Sequence, residues 1–356
     1  MRHLACVCLL AVATVGLPSQ TTHLVGPGGH GDIGTAIGFA APGDVILVSP
    51  GTYFTFHTTK GVTIRALGAV TVVTSSPGFW SLPPTQTLAL DGITFQGPVA
   101  VTSGHLTMTG CAVAHTLGSL FGVPAVAVTG GSLHLVDCAV HYTGFLHAIA
   151  ANGANVTAVG TEVTSGNAGS PAPSLVLTGA TFTGSDCRFA STLVADAGST
   201  AWLRDSTIDN PVPTCPLFGA GTFRLDRCAL GPTSATVCAS TTAGAPLLGV
   251  EALAPLQNGT TYTLQFRSAP LQFVAVHASG RLAPTPLSGV FEQPLQLDLA
   301  AFWFVGLYAT DANGDASASW NLPAGQFVDT SLWLEAIAIE PTFPWQVAPV
   351  VGGVVR

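Results

Sequence analysis

Charge is what this sequence has least of. Asp, Glu, Lys and Arg make up 8% of its 356 residues, where an ordinary globular chain carries roughly 25%. Lysine occurs once, at Lys60, and the arginines nowhere form a basic run. Phosphate backbones need a basic footprint, so nucleic acid is not expected as a partner. The formal net charge is −8, but the acids are scattered singly, which reads as solubility rather than as a store for cations. Beyond the N-terminus there is no apolar stretch approaching the roughly 18 residues of a membrane-spanning helix. Cys-x-x-Cys pairs and paired-histidine spacings are also missing, which argues against zinc and leaves no cofactor implied. A nucleophile elbow, a phosphate loop and a metalloprotease helix are absent too.

Glycine (41), proline (25) and an apolar fraction of 48% are abundant instead. That composition excludes disorder. It suits a backbone that turns often and covers its outer faces with Thr, Ser and Asn. The opening MRHLACVCLLAVATVGLPSQ has a short basic start and an apolar run from Leu4 to Ala13. It reads as a secretory signal over residues 1–20, cleaved between Ala13 and Gln20. Cys6 and Cys8 leave with it. The mature chain is therefore expected to be secreted or held at the cell surface, without membrane insertion.

The most informative feature is a repeated phrase. HLTMTGCAVAH at 105–115 and SLHLVDCAVHYTG at 132–144 are near-copies. Sliding the phrase along the chain gives seven rungs, centred on Ile93, Cys111, Cys138, Thr161, Cys187, Ser206 and Cys228. They recur at roughly 22 residues, a period that signals a repeat architecture. Five positions before each centre sit Leu88, Leu106, Leu133, Val156, Phe182, Ala201 and Phe223. Three before it are Leu90, Met108, Leu135, Ala158, Gly184, Leu203 and Leu225. Two after it are Phe95, Val113, Val140, Val163, Phe189, Ile208 and Leu230. Every one of these is apolar except Gly184. The residues between them are mostly Thr, Ser, Gly or Ala, so the alternation has the period of two that marks short strands with one face inward. A single repeat cannot bury that face, whereas a coaxial stack can, which predicts a parallel β-solenoid.

The start of the array, GDIGTAIGFAAPGDVILVSPGTYFTFHTTKGVTIRALG, resembles the opening rung of pectin-lyase-like, right-handed parallel β-helix proteins. The resemblance implies a short capping helix over about Asp32 to Ala40, followed by a strand region matched by Pro42 to Tyr53. It covers about residues 25 to 245 and speaks to fold rather than activity. The repeat stops after TTAGAP, and longer alternating strands follow at 261, 271, 295 and 332, punctuated by Pro and Gly. The fold class expected is all-β: a right-handed parallel β-helix over 21–245, then a small antiparallel β-sandwich over 246–356. GLYATDANGDASASWNLP with SLWLEAIAIEP resembles a C-terminal module of exported proteins from planctomycete-like bacteria. In that module the last strand carries Gln-Ala, and here the glutamine position is Glu335.

The centre residues behave as one inward stack. Cys187 and Cys228 have no cysteine in a neighbouring rung, so both are expected as buried free thiols. Cys111 and Cys138 are stacked neighbours, and Cys215 and Cys238 flank the last rung. Both pairs are disulfide candidates in an exported chain.

Candidate chemistry concentrates in the fifth to seventh rungs. Acidic β-helix enzymes work with aspartates on one strand face, either as acid and base or as calcium ligands beside a basic residue. The column just before the centre holds Asp137, Gly160, Asp186, Asp205 and Arg227, and it makes Asp186, Asp205 and Arg227 the catalytic candidates. Asp186 and Asp205 would lie about 5 Å apart, near the separation of a retaining carboxylate pair. Trp202, stacked over Arg224, is the candidate ligand contact. The same register supplies a structural account: Glu162 with Arg188, Arg204 with Asp226 and Asp205 with Arg227 are opposite charges one strand apart. Asp186 alone lacks an opposite partner in its column. DANGD (Asp311, Asn313, Asp315) has the start of a calcium loop but no downstream bidentate acid, and reads as a hairpin turn. His105, His115, His134, His141 and His147 read as surface or loop residues; His134 lies between inward Leu133 and Leu135, and His115 is placed in an outward column with Tyr142. The function expected is a non-catalytic structural or glycan-contacting protein whose partner is a polysaccharide or cell-surface glycan. A polysaccharide lyase or glycoside hydrolase acting on an acidic polysaccharide is the alternative.

Overall fold

The structure, a computed structural model, describes residues 20–355 apart from 75–77, 117–122, 167–171, 210–214, 232–237, 244–247, 253–255, 281, 286–289, 292–294, 300–301, 325–330, 340–344 and 349. Residues 1–19 of the expected signal segment lie outside the described residues.

Thr22–Val25 pairs in parallel with Val45–Val48, and a helix over Ile33–Phe39 folds across the end of this first coil. Asp32 caps the helix by accepting from the Thr35 amide at 2.7 Å and the Thr35 hydroxyl at 2.8 Å. Ile33, Ala36 and Ile37 plug the open end of the core. At the other end the Lys60 ammonium donates to the carbonyls of Ile37, Gly38 and Ala40 at 3.0, 3.1 and 2.8 Å. The chain's single lysine thus satisfies carbonyls that a helix terminus leaves open.

From here the chain settles into three short strands per turn. Val126–Thr129, Ser132–Val136 and Ala139–Thr143 form one turn, and pair in parallel with Ile149–Asn152, Asn155–Val159 and Glu162–Ser165 of the next. Parallel pairing runs on to Cys238–Ala243, giving a solenoid of about 8 turns. The register is the one read from the repeat: Leu88, Leu106, Leu133, Val156, Phe182, Ala201 and Phe223 are successive partners, and all are buried. Gly184 has a packing reason. A Cβ there would lie 2.7 Å from the Phe182 ring, so glycine makes room for Phe182 to pack edge-on against Phe189, 5.8 Å between centroids. The register weakens only at the far end, where Leu225, Cys228 and Leu230 are half-buried rather than enclosed. Among the described residues, the following strand, Cys238–Ala243, pairs no farther than Leu225.

Antiparallel pairing begins at Gly249–Ala252. That strand, Thr261–Arg267 and Asp315–Asn321 form one sheet. Phe302–Ala309, Phe273–Ser279 and Ser331–Ile339 run side by side in the other, with Gln346–Val347 and Val351–Val354 pairing to Ser331–Ile339. The two sheets share a core that includes Leu264, Phe266, Val274, Val276 and Leu334, which makes the module sandwich-like. A two-stranded ribbon, Leu282–Thr285 with Leu295–Leu297, packs on the outer face of the larger sheet.

Candidate functional site

The column that carries the candidate acids is the corner of every turn. Gly92, Gly110, Asp137, Gly160, Asp186, Asp205 and Arg227 all have positive φ, between 46° and 70°. This left-handed conformation favours glycine, and Asp and Asn tolerate it better than most other residues. Recurrence of Asp and Gly in this column therefore follows from backbone geometry before any chemistry is invoked. The residue after each corner turns inward, which is why the next column is filled by Cys, Thr, Ser and Ile.

Side chains at the corners are unevenly placed. Asp205 accepts two bonds from Arg227, Nε to Oδ1 at 2.7 Å and Nη2 to Oδ2 at 2.9 Å, and a third from Arg204 Nε at 3.0 Å. Burial raises its pKa, but these contacts outweigh burial and hold it below the usual carboxylate range. Asp226 lies 3.3 Å from Arg227 Nη1 and 3.8 Å from Arg204 Nε. Asp186 is pushed the other way, first by burial and then by the charge on Asp205. Asp137 follows the same pattern, raised by burial and then by Asp186. Farther out, Arg188 sits 3.8 Å from Glu162 and bonds Asp209 at 3.1 Å. Each opposite-charge column read from the sequence is present in register.

Where the charges lead is not what the sequence indicated. Arg204 is only 3% exposed, and its Nη1 donates to the Arg267 carbonyl of the second module at 2.5 Å. Burial lowers its pKa to about 10 despite two neighbouring acids. Along the same outward column Val136, Val159 and Ser185 are also buried, and Val159 packs in the core of the second module. The adjacent outward column, Thr107, His134 and Thr157, is likewise buried. His134 lies edge-on to Trp333 at 5.7 Å and bonds the Thr157 hydroxyl through Nδ1. Thr87 donates to the Leu282 carbonyl at 3.1 Å. The outward face of these solenoid strands is thus a docking face for the sandwich-like module. Trp202 and Arg224 lie on the same face in register, one turn apart, and both are half-buried.

Several expectations need correction, the first being His105, which is buried rather than on the surface and bonds the Ser132 hydroxyl through Nδ1 at 2.8 Å. His134 does point outward but is covered, and burial lowers its pKa to about 4. His115 is inward and buried, its ring tilted against Tyr142 at 5.5 Å. Cys111 and Cys138 are free thiols, not a cross-link. Rung spacing would permit a bridge, but each thiol donates to carbonyls of its own and the preceding turn: Cys111 to Thr109 and Leu90, Cys138 to Val136 and Met108. Cys187 is free and buried; Cys228 is free and half-buried. Cys215 is disulfide-bonded, and the side chain of Cys238 lies outside the described residues.

DANGD forms a turn closed by Asp311, which accepts from the amides of Asn313 at 2.8 Å and Asp315 at 2.9 Å. Among the described residues, no group of three or more His, Cys, Asp or Glu could hold a metal ion. No described helix is long and apolar enough to cross a membrane. Glu335 is a buried acid that sequence reading passed over as a mere departure from glutamine. It accepts from the amides of Gln296 at 2.8 Å and Leu297 at 3.3 Å, and burial pushes its pKa up to about 8.

No protein-family model and no curated protein matches the chain. Among solved structures, a chain described as "Geobacillus virus E2 - ORF18" is 9% identical, covers 81% of this chain and 72% of its own, and superposes with a TM-score of 0.29. A similarity that low carries no argument about function.

Proposed function

We propose that this chain is an exported or cell-surface scaffold of the pectin-lyase-like β-helix type, which contacts glycans without cleaving them. The observation that carries this reading is the engagement of Asp205. Both of its oxygens are held by arginines, and one of those arginines ties into the backbone of the second module. A carboxylate so clamped is a poor nucleophile or base. Its role is to join the two parts of the chain. The half-buried Trp202 beside Arg224 is the place where a sugar ring would stack. The C-terminal module is read as the type found in planctomycete-like exported proteins, with Glu335 at the glutamine position.

Incubation with pectin, alginate and neutral glucans, followed for reducing ends and for unsaturated products, is expected to show no turnover. Glycan binding on an array should weaken in Trp202→Ala and persist in Asp186→Asn. Turnover that disappears in Asp186→Asn would establish the enzymatic alternative. One observation favours that alternative: the pKa of Asp186 is raised and that of Asp205 lowered, the division of labour seen between the acid and the nucleophile of glycosidases.

A further inference from the structure

Among the described residues, the larger sheet of the second module has half of its outer face and one edge open. Its outer strand, Phe302–Ala309, pairs on one side only among the described residues, with Phe273–Ser279. The register places His277 opposite Phe304, Ser279 opposite Phe302 and Ala275 opposite Leu307. The half of the outer face formed by Ser331–Ile339 is covered: Trp333 packs with Leu282 and Leu297, and Ile337 with Leu295. The other half is not. Phe273, Phe302, Phe304 and Leu307 are 53%, 42%, 50% and 52% exposed, and Trp303 at the same edge is 41% exposed.

Edge strands are ordinarily guarded by lysine, proline or charge, because their unpaired amides and carbonyls template another strand. Residues 299–310, LAAFWFVGLYAT, contain none of these. We propose that this edge is the contact through which a second copy of the chain binds, the two outer strands pairing antiparallel about a two-fold axis normal to the sheet. The two five-stranded sheets then become one. Phe302, Phe304 and Leu307 of each copy then line one face of the joined sheet, and Trp303 the other.

Half-exposed aromatic side chains leave roughly 100 Å² each. The four of them at the edge, Phe302, Trp303, Phe304 and Leu307, therefore offer about 400 Å² per copy, or roughly 800 Å² for the pair, and the main chain of the paired strands brings the contact toward the roughly 1,000 Å² of a specific interface. Self-pairing needs no second sequence, since an isologous contact requires only that one patch match itself. It also lets two chains of net charge −8 meet along an uncharged strand. A sugar is the poorer fit, because stacking needs a rim of hydrogen-bonding groups. The polar ring here, His277, is itself bracketed by Phe302 and Phe304 at 5.4 and 5.6 Å.

Sedimentation velocity of the full chain over a micromolar concentration series tests the pairing. The wild type should pass from monomer to dimer. Leu307→Lys and Trp303→Lys should each remain monomeric, with unchanged circular dichroism and melting. Hydrogen exchange of the wild type alone guards against variants that fail to fold: amides 302–309 should gain protection as concentration rises. A wild type monomeric throughout, dimers that persist in both variants, or concentration-independent exchange over 302–309 would overturn the proposal. So would neutral-lipid vesicles or a neutral glucan binding a wild type that stays monomeric.

Discussion

At Asp186 a left-handed corner, a neighbouring carboxylate and partial burial act on one side chain. With its folded pKa raised above the unfolded value near 3.8, its contribution to stability is present below that value and lost as pH rises. At neutral pH the charge is a mild liability. Asp186→Asn keeps a residue that tolerates positive φ and removes the repulsion from Asp205. Chemical denaturation at pH 7 should show stability unchanged or slightly raised; a clear loss would mean the carboxylate holds a partner. Glu335 is a stronger case of the same sign. Its contribution is full below about pH 4.5 and is lost as pH rises toward about 8. Glu335→Gln should therefore be the more stable protein at pH 8, with the gap closing as the pH is lowered. A variant less stable than wild type at pH 8 would show that the carboxylate is needed ionised.

At the level of elements, the repeat made the solenoid legible because inward columns recur every turn and strand alternation has a fixed period. Leu203 and Leu135 were placed correctly for that reason, and Leu203→Ala should cost about 2–5 kcal/mol in a denaturant titration. A cost under about 1 kcal/mol would contradict the packing. The cap was legible too, through the resemblance of the first rung to that of β-helix proteins, but the role of Lys60 was not. Its three carbonyl partners lie 20 to 23 residues upstream, beyond the reach of any local rule. Lys60→Met should lower stability by roughly 1–3 kcal/mol, since it strips charge-assisted bonds from a helix terminus. Hydrogen exchange should then rise first over 33–40; no change there would remove the cap from the account. The corner column was read as possible chemistry because sequence shows which residues stack but not their φ. His115 stands two residues after inward Val113 on one strand, so alternation itself puts it inward, and placing it outward misapplied the period of two.

The whole molecule rests on a joint that sequence pattern cannot display. Alternation tells which side chains leave the solenoid core, but not whether another part of the chain covers them. Thr107, His134, Thr157 and Arg204 all point outward and all are buried, His134 and Arg204 in contact with the second module. Part of what reads as a charged, catalytic-looking surface, Arg204 above all, belongs to the seam between two folded parts. His134 reports on that seam most directly. Burial depresses its pKa from 6.5 to about 4, so its contribution is intact above pH 6.5 and lost as pH falls toward 4, by an amount of order 2–3 kcal/mol. Nuclear magnetic resonance of ring-labelled histidine, with the His134 signal assigned by comparison with His134→Gln, measures this in the intact chain. The seam predicts a ring that stays neutral down to about pH 4, whereas a midpoint near 6.5 would mean that His134 is open to solvent and the second module does not cover the solenoid.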